Sequence, residues 1–151
     1  MKKYTYTICF LILTSFLLAC TDTNAQKDKR GTPKAVKKAF KAMYPGENDP
    51  DWETDKNGNY EAHFKKDGEH YRADYSPDGN WIETENSLKE KELPKAIREL
   101  LENKYDDFKI IELEFVKHHQ KGEFYDLELK EKDKDKFDLM VRADGTIIGR
   151  D

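Results

Sequence analysis

One short pattern of this sequence occurs twice, and it constrains the fold more than any other feature. Residues 71–82 consist of alternating apolar positions, an Asp-Gly turn signal and a second strand-like segment, and residues 137–148 repeat this order 66 residues later. Alternation of this kind is typical of a strand with one buried face, and Asp-Gly is typical of a hairpin turn. The sequence therefore predicts a duplicated unit. The matched apolar positions are Tyr71, Ala73 and Tyr75 in the first copy and Phe137, Leu139 and Val141 in the second.

The N-terminal segment has the pattern of an export signal. Lys2 and Lys3 precede an apolar run at residues 8–18, which is shorter than the roughly 20 residues that a membrane-spanning helix needs. The run ends in Ala19-Cys20, which resembles the cleavage site of a bacterial lipoprotein. We therefore predict a lipoprotein-type signal peptide at residues 1–19 and a lipidated Cys20. Cleavage after Ala25, which would give a soluble secreted protein, is the main alternative, and an uncleaved anchor is a third.

Export predicts a location in the periplasm or at the outer membrane. The protein is lipid-anchored there if Cys20 is lipidated, and it is a soluble secreted protein if cleavage follows Ala25. Both cysteines, Cys9 and Cys20, lie in or at the end of the export segment. The mature domain then has no disulfide, no cysteine metal ligand and no cysteine nucleophile. Charged residues make up 38% of the chain but are mixed in sign, so no basic block indicates a nucleic-acid partner.

After a polar tether at residues 20–31, the pattern predicts one domain at residues 32–151 built from two repeats, 32–86 and 93–151. Each repeat begins with an amphipathic helix, at 33–44 and at 94–105, and continues with about four strands. The second repeat includes an alternating strand with Ile111, Leu113 and Phe115 as its apolar positions. We expect an α+β fold: a duplicated unit of one helix and four antiparallel strands, with both helices packed on one face of an open antiparallel sheet of up to eight strands.

Three Asp-Gly turns predict the strand register when residue pairs are counted outward from a two-residue turn. The same counting places the apolar positions of each pair of strands on one side of the sheet. The predicted pairs are Phe64 with Tyr71, Ala62 with Ala73, Tyr60 with Tyr75, Tyr75 with Ile82, and Val141 with Ile148.

The export signal followed by two helix-plus-four-strand units resembles the PepSY-like family of exported Bacteroidetes-type proteins, a family compared with the bacterial β-lactamase inhibitor protein. The resemblance extends from Thr32 onward. It implies an α+β binding domain without a catalytic motif, and a role in inhibiting proteases or other hydrolases, or a related binding role. It rests on Pro33-Lys34-Ala35-Val36 with Phe40 and Tyr44-Pro45, the segment 75–81, Leu93-Pro94-x-x-Ile97, and Asp144-Gly145-Thr146-Ile147.

Candidates for catalysis or metal binding are weak. Ser76 and Ser87 lie in a turn and a connector, outside any nucleophile motif. His63 and His70 are near neighbours across the first hairpin and face solvent, but a third ligand is not evident and Arg72 is expected opposite His63. The remaining candidates have structural explanations: His118 and His119 should point to opposite faces of a strand, and residues 55–61 resemble a calcium loop but are better explained as a hairpin turn with Asn57-Gly58 at its centre.

The sheet face away from the helices is the best candidate for function. Trp81 would be a large aromatic residue on a solvated face, which is typical of an interface anchor. A longer turn would instead reverse its direction and bury it in the core. We predict a non-catalytic binding module that docks a protein partner in the cell envelope, without a cofactor or metal. A small-ligand or metal carrier using His63 and His70 is the alternative, and a hydrolase is the least supported. The predicted partner-binding residues are Trp81, Arg72, His63, Asp74, Glu83 and Ile147.

Overall fold

The computed structural model describes residues 26–27 and 31–151. The predicted signal peptide, the lipidation of Cys20 and the alternative cleavage after Ala25 concern segments outside these residues. Neither α-helix of the described chain is long and apolar enough to cross a membrane.

The described residues form an α+β fold, as predicted, with two α-helices and an open antiparallel sheet. Every strand pairs with its neighbours in the sequence, so the spatial order is the chain order from β1 to β9. Eight strands belong to the predicted domain, and a two-residue strand from the predicted tether extends the edge. The elements are β1 (Gln26–Lys27), α1 (Lys34–Met43), β2 (Asp51–Thr54), β3 (Tyr60–Lys66), β4 (Glu69–Tyr75), β5 (Trp81–Ser87), a 3-10 turn (Glu90–Glu92), α2 (Lys95–Lys104), β6 (Phe108–His118), β7 (Gly122–Glu131), β8 (Lys136–Val141) and β9 (Ile147–Arg150).

Both helices cover the same face of the sheet, and each has its own core. Val36 and Phe40 of α1 are fully buried against β3 and β4, and Ile97 of α2 is fully buried against β6, β7 and β8. The apolar stripes recur at helical spacing, so they can meet a sheet only along one side of each helix. The structure therefore has two hydrophobic clusters side by side under one continuous sheet.

Each helix begins directly after a proline and is followed directly by a tyrosine at its C-cap. Pro33 and Pro94 occupy the N-cap positions, one residue before the helices, which lies within the usual variation of helix ends. The amides of Tyr44 and Tyr105 close the last turns on Phe40 and Leu101, and both tyrosine rings pack into the cores. The predicted helices are thus confirmed in type and location.

The β3–β4 hairpin has the predicted register. Phe64 pairs with Tyr71, and the chain reverses at Asp67 and Gly68, whose φ angles are 53° and 87°. Two consecutive positive φ angles are typical of the two-residue type I′ turn that matches the twist of the strands. The apolar side chains of both strands consequently share the helix side.

The β4–β5 connection differs from the prediction because its turn has three residues. The amide of Ser76 donates to the carbonyl of Asn80 at 2.9 Å, and Tyr75 pairs with Trp81 instead of Ile82. A bulge then restores the predicted register, so that Asp74 pairs with Glu83. Trp81 therefore lies on the helix side, where it contacts the α1 core, as the alternative of a longer turn predicts, and its placement on the opposite face is wrong.

The β8–β9 connection repeats this arrangement. Arg142 and Thr146 close a three-residue turn, Val141 pairs with Ile147, and a register shift follows. Ile147 is 39% exposed, but its pairing with the buried Val141 places it on the helix side. Its predicted position on the opposite face is wrong for the same reason as that of Trp81.

A further bulge lies in β6, between Ile110 and Glu112. It turns Ile111 out to solvent at 50% exposure, and Ile110 takes the predicted inward position beside the α2 core. Leu113 and Phe115 keep the predicted side, since they pair with Leu127 and Tyr125. The duplication of the helix-plus-four-strand unit and the domain boundaries stay predictions.

Candidate partner-binding face

The face of the sheet opposite the helices, here called the uncovered face, carries a row of four carboxylates. Glu53, Glu61, Asp74 and Glu83 are successive cross-strand partners on β2, β3, β4 and β5. We call this set the acidic row. Strand alternation fixes its side, because the intervening residues Ala62 and Ala73 are buried in the α1 core.

Next to the acidic row, Arg72 holds two buried carboxylates. Its Nη2 lies 2.7 Å from Oε2 of Glu85, and its Nε lies 3.5 Å from Oδ1 of Asp74. Asp74 and Glu85 are only 8% and 7% exposed. A single guanidinium therefore serves two carboxyl groups on neighbouring strands.

Burial shifts the protonation of these groups. Burial raises the pKa of Asp74 to about 7, and the Arg72 charge only partly offsets it. Burial also raises the pKa of Glu85 and of Glu114 on β6, and the Arg72 charge offsets part of this effect on each. Near neutral pH the network thus retains protons where an ordinary carboxylate would have none.

His63 lies in the next row, directly opposite Arg72 as predicted. Its Nε2 is 3.4 Å from Oε2 of Glu61, and a hydrogen bond to Glu61 raises its pKa. Glu53, Glu61 and His63 each offer one ligand atom within 4.8 Å of the others. His70 is not part of this group, so the predicted His63–His70 pair is replaced by a histidine with two glutamates.

The uncovered face also contains apolar side chains, which the prediction of a uniformly solvated face did not include. Val116 on β6 and Phe124 on β7 are cross-strand partners beyond Glu85, and both are buried. The Nζ of Lys121 lies 5.6 Å from the centre of the Phe124 ring and 3.7 Å from Sδ of Met140. Neither helix covers this patch, since both lie on the other side of the sheet, and Lys121 of the β6–β7 loop lies over the Phe124 ring.

Two clefts border the sheet on opposite sides. One of about 460 Å³ lies on the uncovered face and is lined by His63, His70, Arg72, Glu85 and Glu114 among others. Another of about 650 Å³ lies between α2 and the start of β6. The first adjoins the acidic row and the Arg72 network, so polar recognition groups and concave shape coincide there.

The structure brings together four of the six predicted partner-binding residues and separates the other two. Arg72, Asp74, Glu83 and His63 lie on the uncovered face. Trp81 instead donates a hydrogen bond from Nε1 to Oγ1 of Thr84 at 2.9 Å on the helix side, and Ile147 also lies on that side.

The remaining sequence candidates have structural explanations. His118 and His119 do not diverge as predicted: their rings stack with centres 4.9 Å apart, because β6 ends at His118 and the chain turns. The carboxylate of Asp55 accepts hydrogen bonds from the amides of Asn57 and Asn59, both at 2.8 Å, as the turn interpretation predicts. Ser76 accepts a hydrogen bond from the amide of Asn80 in its turn.

Sequence reasoning missed Glu85, Glu114, Val116 and Phe124. The alternation of Glu83 with Glu85 was a usable signal for the first of these. No such signal existed for the others, because β5 and β6 are joined through a helix and no turn fixes their register in advance.

Comparison with known proteins agrees with this architecture. The family model described as "Putative beta-lactamase-inhibitor-like, PepSY-like" matches residues 58–149. A DUF2874 family protein from Bacteroides ovatus is similar in structure with a TM-score of 0.72 at 21% identity, over 80% of this chain and 87% of that one.

Two further Bacteroides structures have the same fold. A BLIP-like protein from Bacteroides fragilis has a TM-score of 0.70 at 20% identity, over 80% of this chain and 86% of that one. A protein from Bacteroides eggerthii described as one of the "putative periplasmic proteins" has a TM-score of 0.71 at 18% identity, over 80% and 88%. At these identities the likenesses show the fold alone. The comparison with curated protein sequences gave no match.

Proposed function

The chain belongs to the PepSY-like, β-lactamase-inhibitor-like family, and from this premise we propose that it is a non-catalytic binding module. In this proposal it docks a protein partner of the cell envelope through the uncovered face. Inhibition of an envelope hydrolase or protease is the form of binding that the family description favours. Blocking an enzyme in this way requires shape and contact residues, and no reacting group of the inhibitor.

The observation that carries the proposal is the Arg72 network on a face that neither helix covers. Burial of Asp74 and Glu85 around one guanidinium costs desolvation energy, and replacement of such networks by apolar residues is often neutral or stabilising. Packing of the helices does not need it, because both helices lie on the other side. A polar network at an exposed concave surface supports recognition of a partner.

We place the protein in the periplasm or at the outer membrane, anchored through Cys20. The basic and apolar order of residues 1–19 supports export. The Bacteroides eggerthii relative described as periplasmic supports the compartment. Mass spectrometry of the native N-terminus tests the anchor: a diacylated or triacylated Cys20 is expected, and an N-terminus at Gln26 would contradict it.

We also propose that residues 32–86 and 93–151 are copies of one unit. The β4–β5 and β8–β9 connections support this, since both have a three-residue turn followed by a one-residue bulge. Each turn also brings a glycine against the first turn of its own helix, Gly79 against Ala35 and Gly145 against Ala96.

Site-specific crosslinking tests the docking face. Residues 20–151 with Cys20→Ser contain no cysteine, so one introduced cysteine can carry a photoactivatable benzophenone. We expect His70→Cys, on the uncovered face, to crosslink a discrete protein in an envelope extract. Glu102→Cys, an exposed α2 position, is the matched control. Equal products from both positions, or none from His70→Cys, would argue against docking by this face.

A second candidate function is a metal carrier, favoured by the convergence of Glu53, Glu61 and His63. A cation bound only by the native state must raise its melting temperature. Zn²⁺, Cu²⁺ and Ca²⁺ are the ions to test, with His63→Ala as the variant that should lose the shift. Absence of a shift with all three ions would exclude this function.

A further inference from the structure

The exposed side of α1 carries positive charge alone. The helix contains four lysines, all exposed, and no acidic residue. With 3.6 residues per turn they fall within an arc of about 100°, on the side away from the buried Val36 and Phe40. The whole chain, in contrast, has a formal net charge of −4. We call this set the lysine face, and it consists of Lys34, Lys37, Lys38 and Lys41.

These charges do not stabilise the helix that carries them. Lys34 occupies the first helical position, where the helix dipole disfavours a cation. The face contains four pairs of lysines three or four positions apart, which are neighbours on a helix surface, so like charges lie side by side. Within the described part of the chain, no lysine of this face forms a salt bridge. Helix stability therefore does not explain the lysine face.

α2 has the charge pattern that helix stability favours. Counted from the prolines that precede the two helices, Lys38 and Lys41 correspond to Glu99 and Glu102, and the other two positions are basic in both helices. Lys95 and Glu99 form an ion pair across one helical turn at 2.7 Å. The charges at these four positions thus cancel in α2 and add in α1.

We propose that the lysine face docks on an anionic lipid surface and turns the uncovered face away from the membrane. The inference goes beyond the proposed function, because it concerns the opposite side of the domain. Charge complementarity carries it, since anionic headgroups attract clustered lysines and the long lysine side chains can reach them. Both helices lie on the side of the sheet opposite the acidic row. A membrane beneath α1 therefore leaves the uncovered face open to a partner.

The course of the chain from the proposed anchor supports a membrane as the occupant. β1 adds Gln26 and Lys27 to the sheet beside β2, in the half that α1 covers. Six residues separate Cys20 from Gln26, and a chain of this length spans at most about 20 Å. A lipidated Cys20 would therefore hold the α1 half close to the bilayer. Lipid chains combined with a basic patch are a common form of membrane attachment.

Vesicle sedimentation tests the inference on residues 20–151 carrying Cys20→Ser. The vesicles contain equal parts of phosphatidylglycerol and phosphatidylcholine, and vesicles of phosphatidylcholine alone are the neutral control. Each lysine at an anionic surface strengthens binding about fivefold, so Lys38→Gln with Lys41→Gln should weaken it roughly twentyfold. Lys65→Gln with Lys130→Gln removes the same charge from exposed positions on the uncovered face and should leave binding nearly unchanged.

Lys38→Glu with Lys41→Glu separates binding from folding, because it gives α1 the acidic residues of α2. Opposite charges replace like charges along the helix, so the melting temperature should be no lower than that of the wild type. Binding to the anionic vesicles should nevertheless be lost. A variant that keeps its binding would overturn the inference.

Two further measurements test the nature and the direction of the contact. Salt should release the wild type from the vesicles, because the Debye length falls from about 10 Å at 0.1 M to about 3 Å at 1 M. A fluorophore on Ala42→Cys, an exposed α1 position, should be quenched by lipids with nitroxide-labelled headgroups, and a fluorophore on His70→Cys should not. Equal quenching at both positions would overturn the proposed orientation.

Equal weakening by the α1 and uncovered-face variants, equal binding to neutral vesicles, or binding that resists salt would each overturn the inference. Binding to polyglutamate but not to the vesicles would assign the lysine face to an acidic protein instead. The vesicle test contains no protein partner, so its failure would leave crosslinking from His70→Cys, and with it the docking face, in place. Failure of crosslinking alone would remove the proposed function and keep the membrane contact.

Discussion

Thr84 shows how one hydroxyl joins β5 to the α1 core. Its Oγ1 accepts the hydrogen bond from the Trp81 indole and is also bonded to the hydroxyl of Tyr44, and Thr84 itself is buried. These bonds fix the aromatic side chain that the turn directs toward the core. Trp81 is thereby a structural residue of this fold.

Thr84→Val should destabilise the protein by about 1–3 kcal/mol, because the indole N–H and the Tyr44 hydroxyl lose their partner in a partly buried site. Thr84→Ser keeps the hydroxyl, so it should destabilise the protein clearly less than Thr84→Val does. Urea unfolding followed by tryptophan fluorescence measures both. A valine variant as stable as the serine variant would show that these hydrogen bonds contribute little.

Asp74 should make the protein less stable as pH rises. An ion-paired carboxylate with a lowered pKa has the opposite effect. Burial raises its pKa from 3.8 to about 7. Between these two values the folded protein holds a proton that the unfolded chain has released, so the free energy of unfolding falls as pH rises from about 4 to about 7.

Asp74→Asn removes this titration and should reduce the decline of stability between pH 4 and pH 7. Asp78→Asn makes the same chemical change at an exposed turn position and should leave the decline as in the wild type. Urea unfolding at pH 4, 5.5 and 7 measures the slopes. Identical slopes for wild type and Asp74→Asn would show that Asp74 ionises normally in the fold.

The β4–β5 turn contacts α1, which explains why its geometry matters beyond the hairpin. Gly79 has φ of +85°, and a Cβ built there would lie 2.8 Å from the carbonyl carbon and oxygen of Ala35. Gly58, in the β2–β3 turn, has φ of +87° and nothing within 4 Å of such a Cβ. Both glycines therefore have a positive φ angle, and only Gly79 also lies against a helix.

Gly58→Ala should therefore cost about 1–2 kcal/mol, the usual penalty for a left-handed alanine. Gly79→Ala adds a steric clash with helix backbone, and overpacking typically costs about 1–3 kcal/mol more. Chemical denaturation of the two variants compares these costs directly. Equal destabilisation would mean that the turn moves away from α1 without loss.

Turn length decided which elements of this fold could be predicted. Asp67-Gly68 gave the correct register because both residues adopt positive φ in a two-residue turn. Asp78-Gly79 contains the same two residue types but lies in a three-residue turn with only the glycine at positive φ, as Asp144-Gly145 does. Counting from a two-residue turn therefore placed Trp81 on the wrong side of the sheet.

Beyond this turn the bulge restored the register, so Glu83 and Arg72 were placed on the correct face from sequence. Glu85 and Val116 show the limit of that reasoning. Their adjacency depends on the β5–β6 pairing, which joins the two halves across α2 and brings the Arg72 network next to the apolar patch. No periodicity within one strand contains that information.

Across the whole molecule, the β5–β6 pairing also joins two separate hydrophobic cores. Five residue pairs connect these strands, from Glu83 with His118 to Ser87 with Glu114. The buried Glu85 lies at the junction and contacts Arg72 on β4. Separation of the halves would expose two long strand edges and the Arg72 network to water. We therefore expect both cores to unfold as one cooperative unit.

The two tryptophans make this expectation testable, because both Trp52 and Trp81 pack in the α1 core. Ile97→Ala removes a fully buried side chain from the α2 core and should cost about 2–5 kcal/mol. If the cores are coupled, tryptophan fluorescence will report a lower urea midpoint in this variant, although neither indole touches Ile97. Ile111→Ala makes the same change at the exposed β6 bulge and should hardly shift the midpoint. A fluorescence transition that stays at the wild-type midpoint in Ile97→Ala, with an earlier transition seen only by circular dichroism, would mean that the two halves unfold separately.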